Sequence, residues 1–253
     1  MAKRTVGRVL IACCLLLCSF GTLGDTLRVG INPEYPPLIY KDDGEITGID
    51  AAMAREAAKI LDRKLQFVEM SFEQLIPSLV AGDVDVIMSG LSVTPERAEQ
   101  VAFTNSYLTI GQMAIIRTAD MVPFALPRAL NKPGARVGVE PGTTGASYAA
   151  EYLPDAKVSE FTSPDQAFKA LLDKRIDFYI HDAPTSWNLA QQADSPLMSL
   201  FKPLTREQLA WAVRKDDIKL LTSLNYALEQ LENNGRLTAI QTYFVPVRVS
   251  VGD

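Results

Sequence analysis

The chain has few of the side chains that bind metal ions or act as nucleophiles in enzymes. Its 253 residues include a single histidine and three cysteines, and all three cysteines lie before residue 19. The rest of the chain therefore excludes disulfides, cysteine nucleophiles and zinc sites built from cysteine and histidine clusters. A Gly-x-Ser-x-Gly motif is also missing, and Gly142-Thr-Thr-Gly145 lacks the length and the lysine of a phosphate-binding loop. We expect neither a cofactor nor a metal ion, and we assign His181 no role.

An excess of positive charge is missing as well. The chain has 30 acidic and 25 basic residues, and residues 1–24 contain three of the basic residues and none of the acidic ones. Loss of this N-terminal segment moves the formal charge from −5 to −8. Binding of nucleic acid needs a basic surface, so this class of partner is excluded. After residue 24 the sequence has no apolar run of about 18 residues that would span a membrane.

The first 24 residues have the layout of a secretory signal peptide. Three basic residues come first: Lys3, Arg4 and Arg8. An uncharged, mostly apolar run follows at Val9–Phe20, and small residues precede a cleavage site near Gly24. The run is too short to span a bilayer comfortably, so we predict a cleaved signal peptide over 1–24 and a periplasmic protein. Lipid anchoring at Cys13 is the less favoured alternative, because the apolar stretch before that cysteine is short.

Hydrophobic patterning predicts alternating strands and helices. The first half reads as strand, helix, strand, helix and strand at 27–31, 49–61, 65–69, 72–81 and 84–88. The second half reads as strand, helix, helix and strand at 136–139, 144–152, 164–173 and 176–180, followed by a long helix at 217–233. This alternation is typical of parallel sheets with helices on their faces. A gapless similarity between residues 74–90 and 166–182 indicates two similar lobes.

Polar side chains follow the predicted strands, at the edge where open parallel sheets bind ligands. They are Asn32, Glu34, Tyr35, Ser89, Ser92, Arg97, Thr143, Thr144 and Asp182, with Gly90 and Gly142 among them. A guanidinium binds a carboxylate bidentately, and a carboxylate accepts hydrogen bonds from an ammonium group. The inventory therefore suits a zwitterion such as a free amino acid.

The segments that carry this inventory resemble the family-3 extracellular solute-binding proteins of polar amino-acid ABC importers. Two of them are Asp85-Val-Ile-Met-Ser-Gly-Leu-Ser-Val-Thr-Pro-Glu-Arg97 and Val137-Gly-Val-Glu-Pro-Gly-Thr-Thr144. The resemblance runs from about Leu27 to Phe244. It implies a two-lobed type II periplasmic-binding-protein fold, in which each lobe is a mostly parallel sheet flanked by helices. Residues 25–110 plus 207–253 would form lobe one and residues 111–206 lobe two, with crossings near 111–114 and 207–210.

The resemblance also implies roles for individual residues. Arg97 would clamp the α-carboxylate of the ligand, with help from Ser92 and the backbone around Gly90, and Thr144 would contact the same carboxylate from lobe two. Asp182 would accept from the α-ammonium group. The remaining expected ligand contacts are Tyr35 and Phe72, which would sandwich the ligand side chain, Asn32, which would face its tip, and Ser89 and Thr143.

Each of these residues also has a purely structural interpretation. Arg97 could form a surface ion pair with Glu96 or Glu99, and Asp182 could cap the helix that follows it. Tyr35 and Phe72 could pack in a turn and in the core. The hydroxyls could serve as turn or cap residues.

The function implied is capture of a free L-amino acid and its delivery to an inner-membrane ABC permease by a monomeric, non-enzymatic protein. One alternative is a periplasmic cyclohexadienyl dehydratase, which resembles these proteins but carries a glutamate three residues after the equivalent of Asp182. Here that position is Thr185, which cannot deliver a proton at neutral pH. A ligand-sensing module is the third reading, although no kinase or channel region follows. Asn32 predicts a neutral ligand, because an amide does not offset a buried cation; a charged ligand would instead implicate Glu34 or Glu140.

Overall fold

Helices and strands alternate along the chain in a computed structural model that describes residues 26–124, 127–190 and 194–245. The predicted signal peptide, with Cys13, lies outside the described residues. The strands are β1 Thr26–Ile31, β2 Glu34–Tyr35, β3 Ile39–Asp42, β4 Glu45–Thr47, β5 Lys64–Glu69, β6 Val86–Ile87, β7 Val101–Phe103, β8 Leu108–Ile110, β9 Gln112–Arg117, β10 Arg136–Val139, β11 Lys157–Glu160, β12 Phe178–Asp182, β13 Leu197–Ser199, β14 Glu207–Leu209 and β15 Ala212–Arg214. The helices are α1 Ile49–Ile60, α2 Leu75–Ala81, α3 Pro95–Ala98, α4 Thr144–Tyr152, α5 Pro164–Leu172, α6 Ala183–Ala190, α7 Ile218–Asn233 and α8 Arg236–Phe244.

Two five-stranded sheets organise these elements. Sheet one has the order β5-β1-β6-β15-β7, and sheet two has the order β11-β10-β12-β9-β13. In sheet one only β15 runs against its neighbours, and in sheet two only β9 does so. Each sheet is therefore mostly parallel, as the resemblance implied. The carboxyl ends of the parallel strands form the edge at which ligands bind in open sheets.

Helices bury their apolar faces against both sheets. On α1 the buried residues Ile49, Met53 and Ala57 recur every four positions, and they pack with Val29 of the central strand β1. In sheet two, the fully buried Phe178 packs with residues of β10 and α4. Central strands that are covered on both faces have nearly continuous apolar sequences, and for this reason these strands could be predicted from the sequence.

An ion pair of the same geometry occurs once in each sheet. The N–H of Arg28 and that of Arg136 each donate 2.9 Å hydrogen bonds, to Oδ2 of Asp85 and of Asp177 respectively. The Nη2 atoms of the two arginines lie 2.6 and 2.5 Å from Oδ1 of the same aspartates. The gapless similarity between 74–90 and 166–182 aligned these two aspartates. The repeat in the sequence thus corresponds to a repeated strand-end contact.

The chain passes between the two sheets along a pair of adjacent strands. β8 pairs antiparallel with β14, with Ile110 opposite Glu207. Gly111 then leads into β9 of sheet two, and β14 leads back into β15 of sheet one. A Cβ atom at Gly111 would lie 2.3 Å from the carbonyl oxygen of Thr205, so only glycine fits where the two crossings meet.

The structure differs from the sequence predictions at several element boundaries. The helix predicted over 72–81 begins as a 3-10 turn at Phe72–Gln74, and β6 covers only two of the residues predicted over 84–88. β12 extends to Asp182, because it pairs with β9 as far as Gln112. α7 ends at Asn233, as predicted, and the left-handed Gly235 (φ 72°) just beyond it begins a further helix, α8, that was not predicted from the sequence. Among the described residues, no helix is long and apolar enough to cross a bilayer.

Candidate functional site

A pocket of about 540 Å³, including its open mouth, lies where the strand ends of the two sheets face each other. All ten residues expected to contact the ligand line it: Asn32, Tyr35, Phe72, Ser89, Gly90, Ser92, Arg97, Thr143, Thr144 and Asp182. Five further lining residues were not in that set: Glu34, Gln112, Glu140, Ile180 and His181.

Arg97 is buried at the floor of the pocket. It lies on α3, whose N-cap residue Thr94 accepts a 3.2 Å hydrogen bond from the Arg97 N–H. Its guanidinium donates to the carbonyl oxygens of Ser92 (2.7 Å) and Gly142 (2.9 Å) and lies 5.5 Å from the centre of the Phe72 ring. Arg97 is only 9% exposed, so the interpretation as a surface ion pair is wrong. Burial lowers the pKa of Arg97, and the carboxylate of Glu207 opposes this shift more than any other charge does.

Asp182 faces the pocket from the end of β12. Its Oδ2 accepts a hydrogen bond from the hydroxyl of Tyr35, and its Oδ1 accepts one from Nε2 of Gln112. Burial raises the pKa of Asp182 to about 6, against the opposing influence of His181. The carboxylate is therefore ionised at neutral pH and is the acidic partner that an ammonium group requires.

Glu207, which the sequence analysis placed in a crossing strand but gave no role, lies beside the pocket. Its Oε2 accepts hydrogen bonds from the hydroxyls of Ser92 (2.6 Å) and Thr144 (2.8 Å), and its Oε1 accepts one from Thr205 (2.6 Å). The protons of these two hydroxyls, which were expected to contact the ligand carboxylate, are thus directed at Glu207. An acidic residue in a predicted crossing segment was the only signal that could have identified it.

The loop after β6 is fixed by a second buried carboxylate. The N–H of Gly90 donates a 2.6 Å hydrogen bond to Oδ2 of Asp50, so it is not available to the ligand, and the expected help from the Gly90 backbone is wrong in this respect. A Cβ atom at Gly90 would lie 2.5 Å from the ring of Tyr35, and its φ of +62° also favours glycine. Gly90 therefore lets the Tyr35 ring lie against the pocket floor.

Two of the predicted polar contacts have local structural partners as well. The hydroxyl of Thr143 caps α4 by accepting from the N–H of Ala146 at 3.2 Å, which is the structural interpretation considered for it. The hydroxyl of Ser89 accepts from the N–H of Asn32 at 2.9 Å. Both residues also line the pocket, so Thr143 caps α4 and forms part of the pocket wall at the same time.

Glu140 and His181 line the pocket, and both contact Tyr179. Nε2 of His181 lies 3.2 Å from Oε1 of Glu140, and the hydroxyl of Tyr179 donates to the same oxygen. Burial raises the pKa of Glu140, but these two donors outweigh it and the net shift is downward. Nδ1 of His181 accepts the N–H of Asp182 at 2.7 Å, so the ring presents its Nε2–H to Glu140.

The profile of the bacterial extracellular solute-binding proteins, family 3, matches residues 27–246. The chain belongs to this family. A related family-3 protein, ABC transporter arginine-binding protein 1 of Escherichia coli (strain K12), is 29% identical over 246 residues, which cover 94% of this chain and 99% of that protein.

Solved structures agree with this assignment. An ancestral amino acid-binding protein, a precursor of cyclohexadienyl dehydratase, is 34% identical with a TM-score of 0.82, covering 87% of this chain and 95% of its own. A binding component of an ABC transporter from Wolinella succinogenes DSM 1740, complexed with lysine, is 31% identical with a TM-score of 0.81, covering 87% and 96%. These likenesses confirm the two-lobed type II fold and support the prediction that this family-3 chain is a binding protein and not an enzyme.

Thr185 occupies the position at which the dehydratases carry their glutamate, and its hydroxyl has a hydrogen-bond partner outside the pocket. Thr185 is 2% exposed, and its hydroxyl donates a 3.2 Å hydrogen bond to the carbonyl oxygen of Pro36 in the other half of the protein. It is not among the described residues that line the pocket. This position therefore offers no proton to a ligand.

Proposed function

We propose that this protein binds a free L-α-amino acid between its two lobes and delivers it to the permease of an ABC importer. The observation that carries the proposal is that Arg97 and Asp182, one from each half of the chain, line the same pocket. Arg97 is a buried cation suited to an α-carboxylate, and Asp182 is a buried carboxylate suited to an α-ammonium group. A zwitterion between them would neutralise both.

The division of the chain supports a closing mechanism. We place lobe one at 25–110 plus 207–253 and lobe two at 111–206. Several hydrogen bonds connect these lobes, among them Thr185 to the Pro36 carbonyl, Arg97 to the Gly142 carbonyl and Tyr35 to Asp182. A ligand that contacts both lobes favours the closed arrangement, because only closure provides all of its contacts.

We further propose that the protein is a periplasmic monomer, exported through a signal peptide that is cleaved near Gly24. The layout of residues 1–24 and the extracellular character of the family support this location. Mass spectrometry of protein recovered from the periplasm of an expression host tests it directly. We expect a chain that begins at or near Asp25 and carries no lipid.

The binding proposal is tested on the same material after unfolding and refolding have removed any carried-over ligand. At least one L-amino acid should bind in calorimetry with a dissociation constant on the order of 1 μM, about −8 kcal/mol, and should raise the melting temperature. The decarboxylated amine of that amino acid serves as the control and should not bind. If no amino acid in a full panel shifts the melt at millimolar concentration, the proposal is wrong.

A further inference from the structure

One part of the pocket is acidic, in contrast to the basic group of Arg97. The main residue of this acidic part is Glu140. This residue follows β10, and its side chain is 12% exposed. Both of its donors, His181 and Tyr179, use the same carboxylate oxygen, Oε1. Within the described residues, no donor is bonded to Oε2, although Glu140 lines the pocket. One oxygen is therefore anchored and the other remains for a ligand.

A second carboxylate approaches from the other lobe. Glu34 lies in β2 and lines the same pocket, and its N–H donates a 3.1 Å hydrogen bond to Oδ1 of Asn32. Burial raises the pKa of Glu34, and repulsion from Glu140 and then Asp165 raises it further. Like charges that face each other across a closing cleft oppose closure, and a cation placed between them reverses that effect.

The charges around the pocket do not balance without such a cation. The described residues that line it or bond to its walls include four carboxylates, of Glu34, Glu140, Asp182 and Glu207, and two basic groups, of Arg97 and His181. A zwitterionic α-amino acid group adds one charge of each sign and leaves the excess unchanged. A ligand with an additional positive charge reduces it.

We infer that Glu34 and Glu140 form a subsite for a cationic group at the end of the ligand side chain, so that the ligand is a basic amino acid. The inference rests on the proposed function and specifies its ligand class. It opposes the neutral ligand predicted from Asn32. In the structure the side-chain Oδ1 of Asn32 accepts the Glu34 N–H, so the amide of Asn32 fixes the turn that carries a carboxylate.

Ligand pairs of equal shape and different charge test this inference. L-Arginine is compared with L-citrulline, and L-lysine with L-norleucine, by calorimetry on the refolded protein. We expect the cationic member of at least one pair to bind tenfold or more tightly than its neutral partner. Glu140→Gln and Glu34→Gln should each reduce that ratio at least threefold, while the affinity for the neutral member changes less than threefold.

The variants are chosen so that the fold is preserved. Gln at position 140 keeps an oxygen for the Tyr179 and His181 donors, and Glu34 is an exposed residue whose change disturbs little packing. Glu160→Gln, at an exposed carboxylate on β11 outside the pocket, is the matched control and should leave both ratios unchanged.

The outcomes separate this inference from the proposed function. Three results would overturn the inference and leave amino-acid binding in place. They are equal binding of both members of each pair, tighter binding of another neutral amino acid, and affinity ratios that neither glutamate variant alters. Failure of every amino acid to bind would overturn both.

Discussion

The hydroxyl of Tyr35 donates a hydrogen bond to Oδ2 of Asp182, and so connects β2 of one lobe to β12 of the other. The same ring stacks edge-on against His181 with 5.1 Å between the ring centres. The hydrogen bond also favours ionisation of Asp182, whose pKa burial raises to about 6. Tyr35 therefore links closure of the cleft to the charge that is to bind the ammonium group.

Tyr35→Phe removes this hydroxyl and keeps the ring. Because a hydrogen bond to a charged group contributes about 1.5–3 kcal/mol, we expect the affinity for the amino acid to fall tenfold or more. The affinity of the wild-type protein should decrease below about pH 6, where Asp182 is protonated, and that decrease should begin at higher pH in the variant. Calorimetry at several pH values measures both effects. An unchanged pH profile would separate Tyr35 from Asp182.

Arg97→Ala should abolish measurable binding and leave the fold intact. Loss of a buried, charge-assisted contact costs about 2–5 kcal/mol of binding free energy. Arg97→Lys should restore little of it, since an ammonium group cannot form the paired hydrogen bonds of a guanidinium. Glu99→Gln, at an exposed neighbour, is the control. Near-normal affinity in Arg97→Ala would mean that the carboxylate binds elsewhere.

Asp50 should make the protein less stable as the pH rises from about 4 to about 6. Burial raises its pKa from 3.8 to about 6 in the folded state, although Tyr107, the Gly90 N–H and Trp211 favour the ionised form. The folded protein thus binds this proton more tightly than the unfolded chain does. Above pH 6 the resulting loss approaches roughly 3 kcal/mol of unfolding free energy.

Asp50→Asn removes that titration and keeps an oxygen for the Gly90 N–H. The difference in unfolding free energy between variant and wild type, from urea denaturation, should shift in favour of the variant between pH 4 and pH 6.5. Other carboxylates titrate in both proteins and cancel in this difference. A difference that does not vary with pH would mean that Asp50 keeps an ordinary pKa.

The two Arg–Asp pairs that recur in the sheets should differ in strength. Asp85 has a side chain that is 12% exposed and also lies 3.8 Å from Arg63, whereas the side chain of Asp177 is 27% exposed. We expect Asp85→Asn to cost about 2 kcal/mol of unfolding free energy at pH 7 and Asp177→Asn about 1. Urea denaturation of both variants measures this order, which a larger loss in Asp177→Asn would contradict.

These two carboxylates should also respond to acid in the direction opposite to Asp50. Burial raises the pKa of Asp85 and of Asp177, but hydrogen bonds from Arg28 and Arg136 outweigh it and hold both below the ordinary value. Their contribution is complete above the pKa of the unfolded chain and is lost as the pH falls through the folded-state pKa. Below about pH 4 the wild-type protein should therefore lose stability that the two variants have already lost.

Part of the pocket could be predicted from the sequence, because some of its residues lie directly at the ends of strands. Asp182 ends β12 and Thr144 follows β10, so a parallel sheet brings them to one edge. Arg97 lies ten residues after β6 in the other sheet, and its role was implied by the family resemblance. Glu140 also follows a strand, but its importance depends on His181 and Tyr179, which reach it from a neighbouring strand that the pattern does not pair with it.

The role of Glu207 and the boundaries of β6 could not be predicted from the sequence, because both depend on how strands pair in the folded protein. Whether Glu207 faces the pocket depends on the register of β14 against β8, which is a tertiary property. β6 is short because only Val86 and Ile87 complete the ladder, although Asp85 and Met88 still donate to carbonyls of β1. Apolar patterning reports burial and not the completeness of hydrogen bonding.

The position of Glu207 has an engineering consequence. Its Oε2 accepts from one hydroxyl in each lobe, and Glu207 lies on one of the two strands along which the chain crosses between the sheets. A substitution made there to retune selectivity would therefore also change the flexibility of the joint. If Glu207 were substituted so that a biosensor built on this scaffold bound a new analyte, the amplitude of its response would change as well. Selectivity and amplitude would therefore have to be optimised jointly.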